Sequence, residues 1–114
     1  MTLSVIAYLP SNDGSTTDLI EIGSPESMAG PESFRTSFYG SAEMRALGAT
    51  LLPELAKSDL WVERDDLNQL EREVQVALTH FQSHLHSDTY VHRLQNILAA
   101  IEIAKAKNGG VYIG

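Results

Sequence analysis

Cysteine is absent from the 114-residue chain, which excludes disulfide frameworks, thiolate metal sites and thiol nucleophiles together. The fold must rest on burial. With 43% hydrophobic residues, a chain of this length can form one core without covalent staples, and residues 1–114 read as a single domain. Long apolar runs are missing as well. Nothing approaches the roughly 20 apolar residues of a membrane helix, and Thr2 to Leu9 has neither the basic leader nor the length of a signal-peptide core. A cytoplasmic protein with no membrane contact is expected.

Basic residues are scarce, and their distribution is uneven. Met1 to Phe34 contain five acids (Asp13, Asp18, Glu21, Glu26 and Glu32) and no Lys or Arg, while Asp59 to Glu73 contain six acids against Arg64 and Arg72. The net charge is −7. A nucleic-acid binder needs a basic surface to displace counterions from phosphates, so that class is excluded. A basic protein is the complementary partner, although acidic excess also serves solubility.

Catalytic motifs are missing too. There is no P-loop lysine, glycine-rich phosphate loop or nucleophile elbow. His80 and His84 have the spacing at which two imidazoles can share a metal, with His86 and His92 nearby, but Phe81 follows His80 where the zinc-protease helix has Glu. The carboxylates Glu63, Asp65, Asp66, Glu71 and Glu73 could divide acid and base roles only in unequal environments. Capping accounts for Asp65 and Asp66, and the helical pattern puts Glu71 and Glu73 on a solvated side. No catalytic residue, metal ligand or cofactor is therefore assigned.

What is present is a pair of amphipathic helices between Asp65 and Lys107. Leu67, Leu70, Val74, Ala77, Leu78, Phe81 and Leu85 recur at helical spacing, and Tyr90, Leu94, Ile97, Leu98, Ile101 and Ala104 repeat it after a break near Ser87 and Asp88. They predict an αα-hairpin. Asp66 with Gln69 has capping-box spacing, Ser87 or Asp88 suits the next cap, and Asn108, Gly109 and Gly110 permit a left-handed exit. Proline at Val74 or Ile97 should unfold such helices, whereas proline at Gly30 should be mild.

Upstream, Leu3 to Leu9 is apolar on both alternating sets and predicts a central strand ended by Pro10. Leu19, Ile20 and Ile22 suggest a second strand, Ser24 to Ser33 a loop, and Phe34, Thr36 and Phe38 a third strand. Ser41 suits the cap of a helix carrying Met44, Leu47, Leu51 and Leu55, with a kink or fresh start at Pro53. Leu60 to Val62 reads as an extended bridge and Val111 to Ile113 as a closing strand beside the first. The expected class is α+β: a mainly antiparallel sheet of three N-terminal strands and a short C-terminal one, packed against three helices.

Several short patterns occur together: Phe38, Tyr39, Gly40 and Ser41; Arg45 to Gly48; Leu52 with Pro53; Arg93 with Asn96; Ala104 with Lys105; and Asn108 to Val111. The set, spanning about the last two-thirds of the chain, resembles small immunity proteins of bacterial polymorphic toxin systems. That resemblance implies a non-enzymatic cytoplasmic antidote that binds a cognate toxin domain, and it assigns no contact residue.

From the residues themselves, a protein-binding module comes first, with Trp61, Glu63, Asp65 and Asp66 as the expected partner-binding group. Trp61 is read either as a core plug or as an exposed anchor beside concentrated charge. Arg93 and Asn96 are placed to tether a loop. A small metal-dependent hydrolase using His80 and His84, and a homo-oligomer joined through the helical pair, are the alternatives.

Overall fold

The computed structural model of the protein describes residues 2–10, 17–20, 28–83 and 88–114. In chain order the elements are β1 (Thr2–Pro10), β2 (Thr17–Ile20), β3 (Met28–Pro31), α1 (Ala42–Ala46), β4 (Leu60–Glu63), α2 (Asp65–Gln82), α3 (Asp88–Ala106) and β5 (Gly110–Ile113). Every strand pairing is antiparallel. The lateral order is β2-β1-β5-β4, with β3 pairing the Thr2–Ser4 end of β1. This is an α+β fold in which the closing strand lies beside the first.

Hydrophobic periodicity accounts for the core. Leu67, Leu70, Val74, Ala77, Leu78 and Phe81 of α2 are buried, as are Leu94, Ile97, Ile101 and Ala104 of α3; Leu85 lies outside the described residues. Together the helices cover one face of the sheet, where Val5, Ala7, Val111, Ile113, Leu60 and Val62 are buried in turn. The exit of α3 is taken by Asn108, at φ 56°. Gly109 follows because a Cβ there would sit 2.2 Å from the Tyr8 carbonyl oxygen.

Several local expectations are overturned. The predicted third strand over Phe34 to Tyr39 is instead one turn of π-helix, Arg35–Tyr39. Phe38 and Tyr39 are adjacent and both buried, which a strand with one wet face cannot achieve. Phe38 stacks on Tyr90 at a centroid distance of 4.3 Å, and the Tyr39 hydroxyl donates to the Ala29 carbonyl at 2.6 Å. Tertiary aromatic packing outweighs the alternation. The third strand lies within the expected loop, at Met28–Pro31, and Asn96 tethers it by donating from Nδ2 to the Met28 carbonyl at 2.7 Å.

Gly30 in that strand has φ +116°, and a Cβ there would sit 2.4 Å from the Phe34 ring. Proline at Gly30 is therefore not mild, since its ring fixes φ near −65°. The helix begun at Ser41 is also shorter than expected. Ser41 does cap α1, accepting from the Met44 amide at 3.1 Å, but after Ala46 the chain makes a fresh start as a 3₁₀ helix, Leu52–Ala56, with Pro53 in its first turn. The Leu60 bridge is strand β4, one residue longer than read.

Candidate functional site

Among the described residues the two long helices lie on one face of the sheet; on the other, Trp61 is exposed, Ile6, Glu63 and Tyr112 are half-buried and Tyr8 is buried. Along β4, Leu60 and Val62 point into the core, so Trp61 and Glu63 must point away from it. Register then builds the site. Trp61 is opposite Tyr112, which is opposite Ile6; Glu63 is opposite Gly110, which is opposite Tyr8.

Trp61 is 58% exposed. The core-plug reading is therefore excluded by burial of its two strand neighbours on the opposite face. Its ring lies 4.3 Å from Tyr112 and 5.3 Å, edge-on, from Tyr8. Such contacts hold a large side chain in place while leaving much of it available to solvent. The Tyr8 hydroxyl donates to Glu63 Oε2 across β5, which is geometrically feasible because Gly110 stands between them: a Cβ there would come within 2.7 Å of both the Tyr8 ring and Glu63. Burial, and secondarily the Glu63 carboxylate, push the Tyr8 phenol well above its ordinary range.

A second polar chain fixes Tyr112. Its hydroxyl donates to Asp59 Oδ2 at 2.7 Å, and Asp59 Oδ1 accepts from Arg35 Nη2 at 2.6 Å. Arg35 also pairs with Glu32 and donates through Nη1 to the Leu55 and Ser58 carbonyls at 3.1 Å. The Tyr112 and Arg35 hydrogen bonds hold Asp59 below the usual carboxylate range, and the bond to Asp59, aided by burial, raises Tyr112. The aromatic floor is thus braced from the π-turn.

No protein family, curated protein or solved structure matches this chain. The site must be judged on its geometry. Trp61, Glu63, Asp65 and Asp66, the four residues singled out from sequence, share with Arg64 one shallow depression of about 480 Å³. Asp65 and Asp66 are exposed, whereas Glu63 is half-buried and bonded to Tyr8. Arg64 places a cation among the three acids, and its backbone, at φ 56° and ψ −127°, occupies a region that side chains rarely adopt.

Capping does not explain Asp65 and Asp66 as expected. Arg64 holds the N-cap position of α2 without a side-chain bond, and the two aspartates lie in the first turn, where their charge still complements the helix dipole. Gln69 is not part of a capping box; it donates to Glu73 Oε2 at 3.0 Å. Glu73 itself is buried rather than solvated. Its carboxylate receives the Leu51 and Leu52 amides at 3.0 Å and the Thr50 hydroxyl at 3.2 Å, and so caps the 3₁₀ helix from a neighbouring element. Glu71 forms a partly exposed ion pair with Lys105 at 2.7 Å.

His80 Nε2 lies 2.7 Å from Glu43 Oε2, while His84 and His86 fall outside the described residues. Among the described residues, no group of three His, Cys, Asp or Glu side chains converges to hold a metal. No helix among them is long and apolar enough to cross a membrane. Tyr8, Asp59 and Tyr112 are not among the site residues expected from sequence. Strict alternation around Val111 and Ile113 carried a signal for Tyr112, but the bond from Tyr8 to Glu63 depends on pairing across residues far apart in sequence.

Proposed function

We propose that the protein is a non-enzymatic binding module: an acidic cytoplasmic antidote that neutralises a basic toxin domain through the sheet face around Trp61. The observation that carries this reading is an exposed tryptophan braced by Tyr112 and Tyr8 beside Glu63, Asp65 and Asp66. Aromatic anchors of this kind carry much of the energy in protein interfaces, while surrounding charge sets encounter rate and orientation. The acidic first third of the chain and the resemblance to immunity proteins support the same reading.

The test is a pull-down with the product of the neighbouring gene, followed by binding kinetics at two salt concentrations. Replacing Glu63, Asp65 and Asp66 with their amides should slow association and flatten its salt dependence. Trp61→Ala should mainly accelerate dissociation, by about thirtyfold for an anchor contributing ~2 kcal/mol. Circular dichroism checks that both variants remain folded. Unchanged association in the triple variant rejects the patch; failure of the parent to capture any neighbouring product rejects the antidote reading.

A further inference from the structure

We infer that the outer edge of β4 accepts an extended segment of the partner as an additional strand, one whose residues alternate between Lys or Arg and apolar side chains. The inference rests on the binding-module reading and specifies how the partner is held. Its starting point is the pair of bonds between Ser4 and Gly114, in which each amide donates to the other's carbonyl, at 2.8 and 3.0 Å. In an antiparallel ladder, successive residues turn their main-chain groups to opposite edges. Gly114, Tyr112 and Gly110 therefore face β1, and Ile113 and Val111 face β4.

The register of β4 sets which of its residues face outward. Leu60 is opposite Ile113 and Val62 is opposite Val111, so these two residues bond inward to β5. Trp61 and Glu63 turn their N–H and C=O groups outward. Among the described residues, no strand pairs with that edge. The two residues with outward main-chain groups also carry their side chains on the face opposite the helices and line the acidic depression. Main-chain bonding, an aromatic contact and charge thus converge on the same two positions, the combination that strand addition uses.

The chemistry of the occupant follows from this placement. Side chains directly opposite on paired strands lie about 5 Å apart, so every second residue of an added strand would stand beside Trp61 or Glu63, with Asp65 and Asp66 just beyond. Those positions favour Lys or Arg, which can pair with the acids and lie over the indole. The intervening positions continue the side of the sheet on which Leu60 and Val62 are buried, and favour apolar residues. A second copy of this chain is a poor occupant, since pairing two β4 edges would bring both sets of acids together.

The test uses the isotopically labelled full chain with a synthetic peptide alternating Lys and Val, compared with a helix-forming Lys/Ala peptide of equal charge. Amide exchange at Trp61 and Glu63 should slow by about tenfold or more when the alternating peptide binds, while Leu60 and Val62, already bonded, change little. The helical peptide should bind more weakly and leave the Trp61 and Glu63 rates unaltered. Protection confined to other amides, equal capture of the helical peptide, or no binding of the alternating peptide at low salt overturns the inference. Dimerisation that protects these amides without peptide assigns the edge to a second copy and also overturns it. Capture of the neighbouring gene product without protection at Trp61 and Glu63 rejects edge pairing but leaves the binding-module reading intact. That reading fails separately, by failure of the capture itself.

Discussion

Replacement of Glu73 is the most stringent test of how the fold is joined, because one carboxylate on α2 serves the start of a separate helix. The 3₁₀ helix Leu52–Ala56 has no side-chain cap of its own, so the Leu51 and Leu52 amides need an external acceptor. Glu73→Ala removes it. Each backbone donor left without a partner in a buried site costs ~1–3 kcal/mol; with Leu51 half-buried and Leu52 buried, a total of about 3 kcal/mol is expected. Near this chain length each kcal/mol moves the midpoint by about 4 °C, so Tm should fall by about 12 °C.

Glu73→Gln keeps one carbonyl oxygen but turns an amide toward other donors, and should cost ~1–2 kcal/mol. Glu71→Ala, two residues away, removes only the partly exposed pair with Lys105 and should cost less than about 1 kcal/mol. Urea denaturation monitored by circular dichroism measures all three. The Glu73→Ala loss should persist in about 1 M salt, because a buried bond is little screened, and the slope against urea should be unchanged. If Glu73→Ala lies within about 0.5 kcal/mol of the parent, or no lower than Glu71→Ala, the capping argument is wrong.

Val74→Pro and Ile97→Pro, in the fully buried interiors of α2 and α3, should each cost about 3 kcal/mol or more and abolish the cooperative transition; a parent-like urea curve for both would contradict the packing described. Arg64→Gly should raise stability by about 1 kcal/mol by relieving a strained backbone, with a higher thermal midpoint as the readout and a lower one as the refutation. Tyr8, Tyr39 and Tyr112 are all held above the ordinary phenol value of 10.0, Tyr8 and Tyr39 chiefly by burial and Tyr112 chiefly by its bond to Asp59. Their contribution to stability is complete below pH 10 and falls as pH rises toward the raised values, because the unfolded chain releases these protons first. Phenolate absorbance followed alongside circular dichroism tests this; titration of every phenol at the ordinary value, without unfolding, would refute it.

The two long helices and the central position of β1 were legible because each follows from local periodicity in a window long enough to be unambiguous. The clustering of Trp61, Glu63, Asp65 and Asp66 was legible for a related reason, since they are neighbours in sequence and one turn keeps them around the same depression. The alternation over Phe34 to Tyr39 is too short to specify a strand, and contacts with Tyr90 and Phe81 favour a helical turn that buries Phe38 and Tyr39 together. The burial of Glu73 was not legible, because its helical position borders a polar side while its acceptor role is set by a chain segment more than twenty residues earlier.

Composition and spacing within single elements were enough for the α+β class, the helical hairpin, the acidic net charge and the exclusion of thiol chemistry. Long-range pairing was needed to show that Trp61 is exposed, that Gly110 lets Tyr8 reach Glu63, and that, among the described residues, β4 is an edge strand whose register turns the main-chain groups of Trp61 and Glu63 outward. Those facts depend on strand order and register. A shift of one residue would reverse every facing side chain, and the order comes from long-range pairing of β1 with β5 and of β5 with β4, which no local window contains.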